Sequence, residues 1–253
     1  MLRSRIFAVD VSSAGRAKPL PDTPSLTVVI PTLNEAANLP HLFTRMPSNV
    51  FEVIVVDGGS TDGTPEVAQQ LWPDVRVLQQ PKRGKGDALA VGCGEARGDA
   101  IATVDGDGSA DPLELSRFLH ALNDGAHFAK GSRFLPGGGS TDITPLRWLG
   151  NRALCALANA LFDTRFTDLC YGYNMFLREC LPFLGSDWSG FEVEAQINIR
   201  AAKAGLRIVE VPSFEAPRLN GASNLRPMRD GQRVLRSILR ESRVKNALTP
   251  RRR

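Results

Sequence analysis

Short apolar runs alternate with segments of helical spacing along the first half of the chain. The apolar runs are rich in β-branched residues and predict buried strands at residues 26–30, 51–57, 75–78, 100–105 and 126–130. Helices are predicted to start between these runs, near Asn34, Thr64, Lys85 and Pro112. Strands and helices that alternate in this way predict an α/β fold, in which helices cover both faces of a mostly parallel central sheet. Ligands of such sheets bind beyond the carboxyl ends of the strands.

The second half of the chain carries the same two patterns with less regularity. Helical spacing covers residues 149–162 and 191–204, whereas residues 171–177 and 206–214 are predicted to be extended. Close to the C-terminus an apolar stripe recurs at helical spacing among arginines, and its members are Val234, Leu235, Ile238 and Leu239. Such a basic amphipathic helix is typical of contact with an anionic membrane surface, although a stripe of this kind also packs against its own protein.

These patterns divide the chain into three parts. Residues 1–25 lack periodicity and contain three prolines, which predicts a flexible N-terminal tail. Residues 26–215 are predicted to form a single α/β domain, and residues 216–253 a basic amphipathic extension. The extension has 11 basic and 2 acidic residues, a net charge of +9, and the remaining 20 basic and 25 acidic residues give −5. An acidic partner or surface is therefore expected beside the extension.

The composition places the chain among globular proteins and excludes several other classes. Hydrophobic residues make up 42% and charged residues 23%, enough apolar surface to exclude disorder for most of the chain. The longest mostly apolar stretch, 153–162, is about half of the roughly 20 residues that a transmembrane helix needs. The first residues lack the apolar run of a signal peptide, which predicts a cytoplasmic protein. The basic amphipathic stripe further predicts a peripheral contact of residues 229–248 at the inner membrane face. The four cysteines show no C-x-x-C pairing, so neither structural zinc nor a disulfide framework is predicted.

The strongest chemical signal is the sequence DGD that ends the strand predicted at residues 100–105. Asp105 and Asp107 lie one residue apart at the open end of a strand, where their charges repel. A hard divalent cation that also binds a diphosphate would remove this conflict, and Gly106 would let such a ligand approach the backbone. A polar turn that caps the next helix is the alternative explanation of the same residues.

Three further segments follow predicted strands or precede predicted helices. The strand-end carboxylate of Asp57, beside Gly58, is suited to accept hydrogen bonds from a nucleobase or ribose, although a helix cap in a glycine turn also explains the acidic residues at 57–64. The basic glycine loop around Lys85 and Gly86 is suited to contact phosphate. The remaining segment follows the first strand and contains Pro31, Thr32, Asn34 and Glu35. The phosphate-binding motif G-x-x-x-x-G-K-[ST], the dinucleotide motif G-x-G-x-x-G and the nucleophile motif G-x-S-x-G are all absent.

In their order and spacing, the four segments resemble glycosyltransferase family 2, the inverting enzymes of GT-A fold. The family motifs P-x-x-N-E, D-[DG]-x-S-x-D-x-T, G-K-G-x-A and D-x-D match residues 31–35, 57–64, 84–88 and 105–107. The resemblance covers about residues 26–226 and implies a GT-A domain that binds a nucleotide-diphospho-sugar, with UDP or GDP as the nucleotide. It also implies Mg²⁺ or Mn²⁺ held by Asp107 with Asp105, and a nucleoside held by Asp57 and Glu35.

Other segments are similar to the branch of this family that glycosylates polyprenyl phosphates. The G-S-R of that branch matches residues 131–133, and its R-x-x-G-x-S-K motif matches residues 218–224 except that Asn224 replaces the lysine. The resemblance implies that an anionic, lipid-linked acceptor meets Arg133, Arg147, Arg218 and Ser223. It also places Asp168 with Asp105 and Asp107 among the catalytic residues. For a hydroxyl acceptor, which needs a general base, the candidates are Asp168, Glu192 and Glu194.

The prediction from the sequence is inverting transfer of a sugar from a nucleotide-diphospho-sugar to a polyprenyl-phosphate-type acceptor. The alternative keeps the donor but replaces the acceptor with a soluble alcohol, a natural product or a carrier-bound intermediate, which Asn224 favours. A non-enzymatic nucleotide-binding module is the third hypothesis. Nucleic acid is not an expected partner, because the basic segment has no aromatic residue after Phe214 for base stacking. The oligomeric state is left open.

Overall fold

A computed structural model describes residues 7–9, 20–21 and 24–244 of the chain. Most of the predicted tail, 1–25, and the last nine residues of the predicted extension, 216–253, lie outside these described residues. The same holds for the end of the predicted membrane contact, 245–248.

The strands, in chain order, are β1 Phe7–Val9, β2 Leu26–Thr32, β3 Glu52–Asp57, β4 Arg76–Gln79, β5 Ala100–Thr103, β6 Phe128–Ser132, β7 Gly139–Ser140, β8 Asn174–Leu177, β9 Ile208–Pro212 and β10 Phe214–Glu215. The helices are α1 Leu39–Thr44, α2 Thr64–Leu71, α3 Lys85–Glu95, α4 Leu115–Asn123, α5 Pro145–Phe162, α6 Leu181–Leu184, α7 Val193–Lys203 and α8 Pro227–Arg243. Two short 3₁₀ turns precede α4 and α6, at Pro112–Glu114 and Arg178–Cys180.

The central sheet is mostly parallel and has helices on both sides, which confirms the predicted fold class. Within the described residues the strand order is β1-β9-β6-β8-β5-β2-β3-β4. In the parallel block β5-β2-β3-β4, burial explains the apolar runs of β5, β2 and β3, since residues 53–57 of β3 and all of β5 are buried. The prediction of a buried strand is wrong for β4, whose residues are half-buried or exposed. β8 lies antiparallel between β5 and β6, and β1 lies antiparallel to β9.

The helix starts predicted near Thr64, Lys85 and Pro112 are confirmed. Pro112 begins a 3₁₀ turn that continues into α4, and the Asp111 side chain accepts a hydrogen bond from the backbone N–H of Leu113. The start predicted near Asn34 is wrong, because α1 begins at Leu39. Asn34 adopts a left-handed conformation with φ of 58°. Its side-chain oxygen accepts a hydrogen bond of 2.9 Å from the N–H of Thr61, so this loop joins the loop that follows β3.

Strand β1 lies inside the segment that the sequence predicts to be a tail. Phe7 pairs with Glu210 and Val9 with Ile208. The prediction of a tail is therefore wrong for residues 7–9. A strand of three residues is too short to produce a periodic pattern, so only its pairing with β9 reveals it.

The C-terminal helix α8 packs on the rest of the protein through part of its predicted apolar stripe. Val234 and Ile238 are buried, whereas Leu235 and Leu239 are each 38% exposed. Glu241 is buried as well and accepts hydrogen bonds from Arg200 of α7 and from Lys203. The stripe is therefore divided between the protein core and the surface. Within residues 7–9, 20–21 and 24–244, no helix is both long and apolar enough to span a membrane.

Candidate active site

The predicted site residues converge because their strands are parallel neighbours. β2 lies between β3 and β5, so the loops that follow these three strands meet at one edge of the sheet. A cavity of about 200 Å³ opens there, which we call the polar cleft. Seven of the ten predicted donor-binding residues line it: Pro31, Thr32, Glu35, Gly58, Lys85, Asp105 and Gly106. Both carboxylates of the DGD sequence, Asp105 and Asp107, line it too.

The two carboxylates of the DGD sequence differ in their partners. Asp107 accepts a hydrogen bond of 3.0 Å from the N–H of Ser109, and its other oxygen lies 3.5 Å from a guanidinium nitrogen of Arg218. Asp105 forms a closer ion pair, because its Oδ1 lies 2.6 Å from the ammonium group of Lys85. Asp107 is therefore the carboxylate that is freer to bind a cation in the cleft.

The residues of the cleft fit a Mg²⁺ or Mn²⁺ ion that shares its ligands with a diphosphate. Both ions prefer oxygen ligands, and Mg²⁺ in particular is usually held by one or two carboxylates together with water and phosphate oxygens. Asp105 and Asp107 supply carboxylates of this kind. Across the described residues, no three or more His, Cys, Asp or Glu side chains come together as a metal site. The remaining ligands of a cation here would thus come from the substrate and from water.

Lys85 is buried between two carboxylates at the inner end of the cleft. Its ammonium nitrogen lies 2.6 Å from Asp105 and 2.5 Å from Glu194. Burial lowers the pKa of Lys85, but the attraction of Asp105 and Glu194 outweighs burial, and the net pKa is raised. Burial raises the pKa of Glu194, the Lys85 ammonium lowers it, and the repulsion from Asp105 raises it again, so that it stays above its ordinary value. A Cβ at Gly172 would lie 2.5 Å from the Lys85 nitrogen, which explains a glycine at that position.

Three predicted donor-binding residues do not line the polar cleft. Asp57 is buried, and one of its carboxylate oxygens accepts hydrogen bonds of 2.9 Å from the N–H groups of both Gly59 and Ser60. Asn34 joins the first two loops, as described above. The N–H of Gly86 donates to the backbone carbonyl of Ser189 at 2.8 Å, and so is not free for phosphate. In the structure these residues hold the loops in place, and a direct contact with the nucleotide stays a prediction for each.

Two residues predicted to bind the acceptor, Arg218 and Ser223, line the polar cleft instead of the region around Arg133. The Arg218 guanidinium donates a hydrogen bond of 2.6 Å to Glu35. Burial raises the pKa of Glu35, and the hydrogen bonds from Arg218 and Asn38 offset part of this rise. The segment that carries Arg218 thus reaches across the cleft to the loop after β2.

A second cavity, of about 360 Å³, lies between α5 and α8. We call it the apolar cavity, because its wall is formed mainly by aliphatic side chains, among them Ile143, Leu146, Leu154, Leu225, Val234 and Leu235. Phe191 lines both cavities. Glu194 lines the apolar cavity and its partner Lys85 lines the polar cleft, so this ion pair joins the two cavities.

The predicted acceptor residues Arg133 and Arg147 both line the apolar cavity. Arg133 is buried and donates hydrogen bonds of 2.7 and 3.0 Å to the two carboxylate oxygens of Asp168. Its remaining amino group bonds Glu215 at 3.1 Å. Arg147 is 3.8 Å from the same glutamate and 2.7 Å from Asp142.

The structure does not place Asp168 where a catalytic base would act. Its side chain is fully buried, lines neither cavity, and has both oxygens occupied by Arg133. Burial raises its pKa, but the charges of Arg133 and Lys130 outweigh burial and lower it. A carboxylate held in this way positions Arg133, and a catalytic role for Asp168 stays a prediction.

Sequence reasoning missed Phe191 and the apolar cavity. The available signal was the apolar residues of the predicted helix at 149–162 and of the C-terminal stripe, but only the packing of α5 beside α8 brings them together around one cavity. The wall also includes residues from the segments that precede both helices.

Comparison with known proteins identifies the class. Residues 27–183 match the family described as glycosyl transferase family 2, and the chain belongs to this family. Polyprenol monophosphomannose synthase of Mycolicibacterium smegmatis is 35% identical over 211 residues, 78% of this chain and 80% of that protein. Undecaprenyl-phosphate mannosyltransferase of Micrococcus luteus is 32% identical over 219 residues, 78% of this chain and 86% of that protein.

Among solved structures, the chain is similar to glucosyl-3-phosphoglycerate synthase from Mycobacterium tuberculosis in complex with Mn²⁺, UDP and glucosyl-3-phosphoglycerate. The TM-score is 0.70 at 23% identity, with 88% of this chain and 82% of that chain covered. This similarity shows the fold. Together with the family match it identifies a glycosyltransferase of GT-A fold.

Proposed function

We propose that this protein transfers a sugar from a nucleoside-diphosphate sugar to a polyprenyl phosphate, with inversion at the anomeric carbon. The observation that carries the proposal is the apolar cavity, which joins the polar cleft at Phe191 and has two arginines in its wall. An isoprenoid chain matches the apolar wall, and its phosphate matches the arginines. The names of the two curated relatives, which contain polyprenol and undecaprenyl phosphate, support the same acceptor class.

The polar cleft would bind the donor. Asp107, assisted by Asp105, would hold Mg²⁺ or Mn²⁺, which when bound supplies charge stabilisation to the departing diphosphate. Lys85 fixes the carboxylate of Asp105 through their 2.6 Å contact. The backbone around Pro31, Thr32 and Gly58 would form the wall against the nucleoside.

The apolar cavity would bind the acceptor with its phosphate toward the cleft. A phosphate oxygen is already anionic, so it attacks the anomeric carbon without a general base while the bond to the diphosphate breaks on the opposite side. Of the two arginines in the wall, Arg147 is the more accessible, with a side chain 24% exposed compared with 2% for Arg133. We therefore assign the first contact with the phosphate to Arg147, and a fixed positive charge behind it to Arg133.

Glu194 favours a second candidate function, transfer to a hydroxyl group. Its carboxyl group lies at the junction of the two cavities and has a raised pKa, as a general base requires. Its 2.5 Å contact with Lys85 favours the charged form that a base needs. A soluble alcohol acceptor would use this residue, whereas a phosphate acceptor would not.

Filling the apolar cavity tests the acceptor. Gly150 lies in α5 and lines the cavity, and a Cβ added there would meet no atom within 4 Å. We expect Gly150→Leu to lower the rate of radiolabelled sugar transfer to undecaprenyl phosphate by at least about tenfold, which equals about 1.4 kcal/mol of acceptor binding at a subsaturating concentration. Binding of the nucleoside diphosphate should not change, because the substitution lies outside the polar cleft.

Gly94→Leu is the matched control. Gly94 is also helical, in α3, has no atom within 4 Å of an added Cβ, and lines neither cavity. Both substitutions should maintain or raise stability, since glycine inside a helix costs about 0.5–1 kcal/mol. Equal transfer by the two variants, or transfer only to soluble alcohols, would contradict a polyprenyl phosphate in this cavity.

We further propose that the exposed apolar residues beside the cavity lie on an anionic membrane. Leu146, Met228 and Leu235 line the cavity and are 58%, 68% and 38% exposed. The exposed face of α8 adds Leu239 and several arginines, a combination that suits lipid headgroups. The contact differs from the one predicted from the sequence, because Val234 and Ile238 are occupied by the core.

A charge placed on this surface should release the protein from membranes. We expect Leu235→Glu to reduce sedimentation with phosphatidylglycerol-containing liposomes at low salt several-fold, through lost apolar burial and repulsion from the anionic surface. Leu71→Glu on α2 is the control, because Leu71 is 39% exposed and lies elsewhere. If both variants sediment like the unmodified protein, or if the unmodified protein ignores liposomes, this surface is not a membrane contact.

A further inference from the structure

The segment between β10 and α8, residues 216–226, crosses the mouth of the polar cleft. We call it the strap. The N–H of Ala216 donates 2.8 Å to the carbonyl of Ser109, and the side-chain amide of Asn220 donates 3.2 Å to the carbonyl of Ala37. The strap is thus fastened to the loops on both sides of the cleft, after β5 and after β2.

Arg218 makes the charged contacts of the strap. Its guanidinium donates 2.6 Å to Glu35 and lies 3.5 Å from Asp107, while its Nε donates 2.7 Å to the carbonyl of Asn220 within the strap. One cation therefore joins two carboxylates that come from different loops. The Arg218 side chain is only 16% exposed, so solvent screens these contacts incompletely.

The contact with Asp107 occupies the carboxylate that is freest to bind a divalent ion. A divalent ion on Asp107 would lie close to the Arg218 guanidinium, and two cations so near each other repel. Asp105 does little to reduce this repulsion, because Lys85 already neutralises its charge. The ion and the Arg218 contact thus compete for one carboxylate.

We propose that Arg218 is a built-in counter-cation of the DGD sequence, which holds the strap across the polar cleft and leaves Asp107 when the divalent ion binds. This inference rests on the proposed function only in that Asp107 binds the ion. Binding of the ion and release of the strap are then coupled, and the free guanidinium becomes available to the phosphates of the substrates. Before the ion binds, Arg218 positions the strap through its contacts with Glu35 and Asp107.

Mn²⁺ binding to the full-length protein without any sugar nucleotide tests the competition. Titration followed by electron paramagnetic resonance should show that Arg218→Ala binds Mn²⁺ at least about fivefold more tightly than the unmodified protein, the lower end of typical coupling between sites. Arg218→Lys, which keeps the charge but not the bridging geometry, should lie between them. Arg226→Ala is the matched control, because it removes the same charge from the strap at a position that lines neither cavity.

Hydrogen exchange of the strap supplies a second readout. Mn²⁺ should speed amide exchange of residues 216–226 in the unmodified protein, whereas in Arg218→Ala exchange should already be fast and should not respond. Three outcomes would overturn the role of Arg218 and leave the metal site intact. Arg218→Ala and the unmodified protein could bind Mn²⁺ with equal affinity, or Arg218→Ala and Arg226→Ala could change that affinity equally. The third outcome is a strap whose amide exchange does not respond to Mn²⁺. Absence of Mn²⁺ binding in every variant would overturn the metal site of the proposed function together with the role of Arg218.

Discussion

Asp107→Asn is expected to lower the rate of sugar transfer by about 100-fold or more, the loss typical when a group that stabilises transition-state charge is removed. Asp107 is the carboxylate of the DGD sequence that Lys85 does not neutralise, and an amide in its place binds a hard cation poorly. The measurement is sugar transfer from the nucleotide donor at saturating Mn²⁺, with the Mn²⁺ affinity determined in parallel.

The fold of the variant should be unchanged, because Asp107 is partly exposed and its hydrogen bond to Ser109 can be made by an amide oxygen as well. Asp163→Asn is the control. Asp163 adopts a left-handed conformation with φ of 51°, which asparagine tolerates equally well, and it lies outside both cavities. Full activity of Asp107→Asn, or undiminished turnover in EDTA, would show that transfer does not depend on a metal at this position.

Asp168→Asn is expected to lower the free energy of unfolding by about 3 kcal/mol, the cost of breaking a buried ion pair from one side. The variant leaves Arg133 buried with Glu215 as its remaining acidic partner, and it replaces two charge-assisted hydrogen bonds. Urea denaturation followed by fluorescence measures the change. Asp142→Asn, which removes the exposed partner of Arg147, is the control and should cost less than about 1 kcal/mol.

The pH dependence of the free energy of unfolding is a second test of the ion pair between Asp168 and Arg133. The pKa of Asp168 is lower in the folded protein than its ordinary value. Its contribution to the stability of the fold is therefore complete above the pKa of an aspartate in the unfolded chain, about 3.9. That contribution is lost as the pH falls from there through the folded pKa. The unmodified protein should therefore lose stability more steeply below about pH 4 than Asp168→Asn does. Parallel curves for the two proteins would show that Asp168 is not held as an ion pair.

Sugar transfer by Asp168→Asn to a phosphate acceptor and to a hydroxyl acceptor separates the two roles considered for this residue, because only the hydroxyl acceptor needs a general base. A general base would affect the rate constant kcat and its pH profile. A residue that positions Arg133 would mainly raise the KM for the acceptor, with the KM for the sugar nucleotide unchanged. The burial of Asp168 and its bonds to Arg133 favour the second outcome.

Local patterns were sufficient wherever consecutive residues decide the structure. The apolar runs identified β2 to β5, and the helical spacing between them identified the starts of α2 and α3. The same runs located the polar cleft, because loops that follow parallel neighbours must meet at one sheet edge. Patterns failed at Asn34, where hydrogen bonds to the next loop override the helical spacing, and at β1, whose partner lies about 200 residues away in the sequence.

The sequence by itself determined the α/β class, the strands whose loops form the polar cleft, and the carboxylates that line it, because each depends on residue order and on the alternation of strand and helix. Only the tertiary structure decided which charged groups neutralise one another. It placed Lys85 between Asp105 and Glu194, Arg218 on Glu35, and Asp168 beneath Arg133. It also divided the apolar stripe of α8 between the core and the surface. These pairings join residues from 20 to 183 positions apart, and no local pattern records which distant partner offsets the cost of burying a charge.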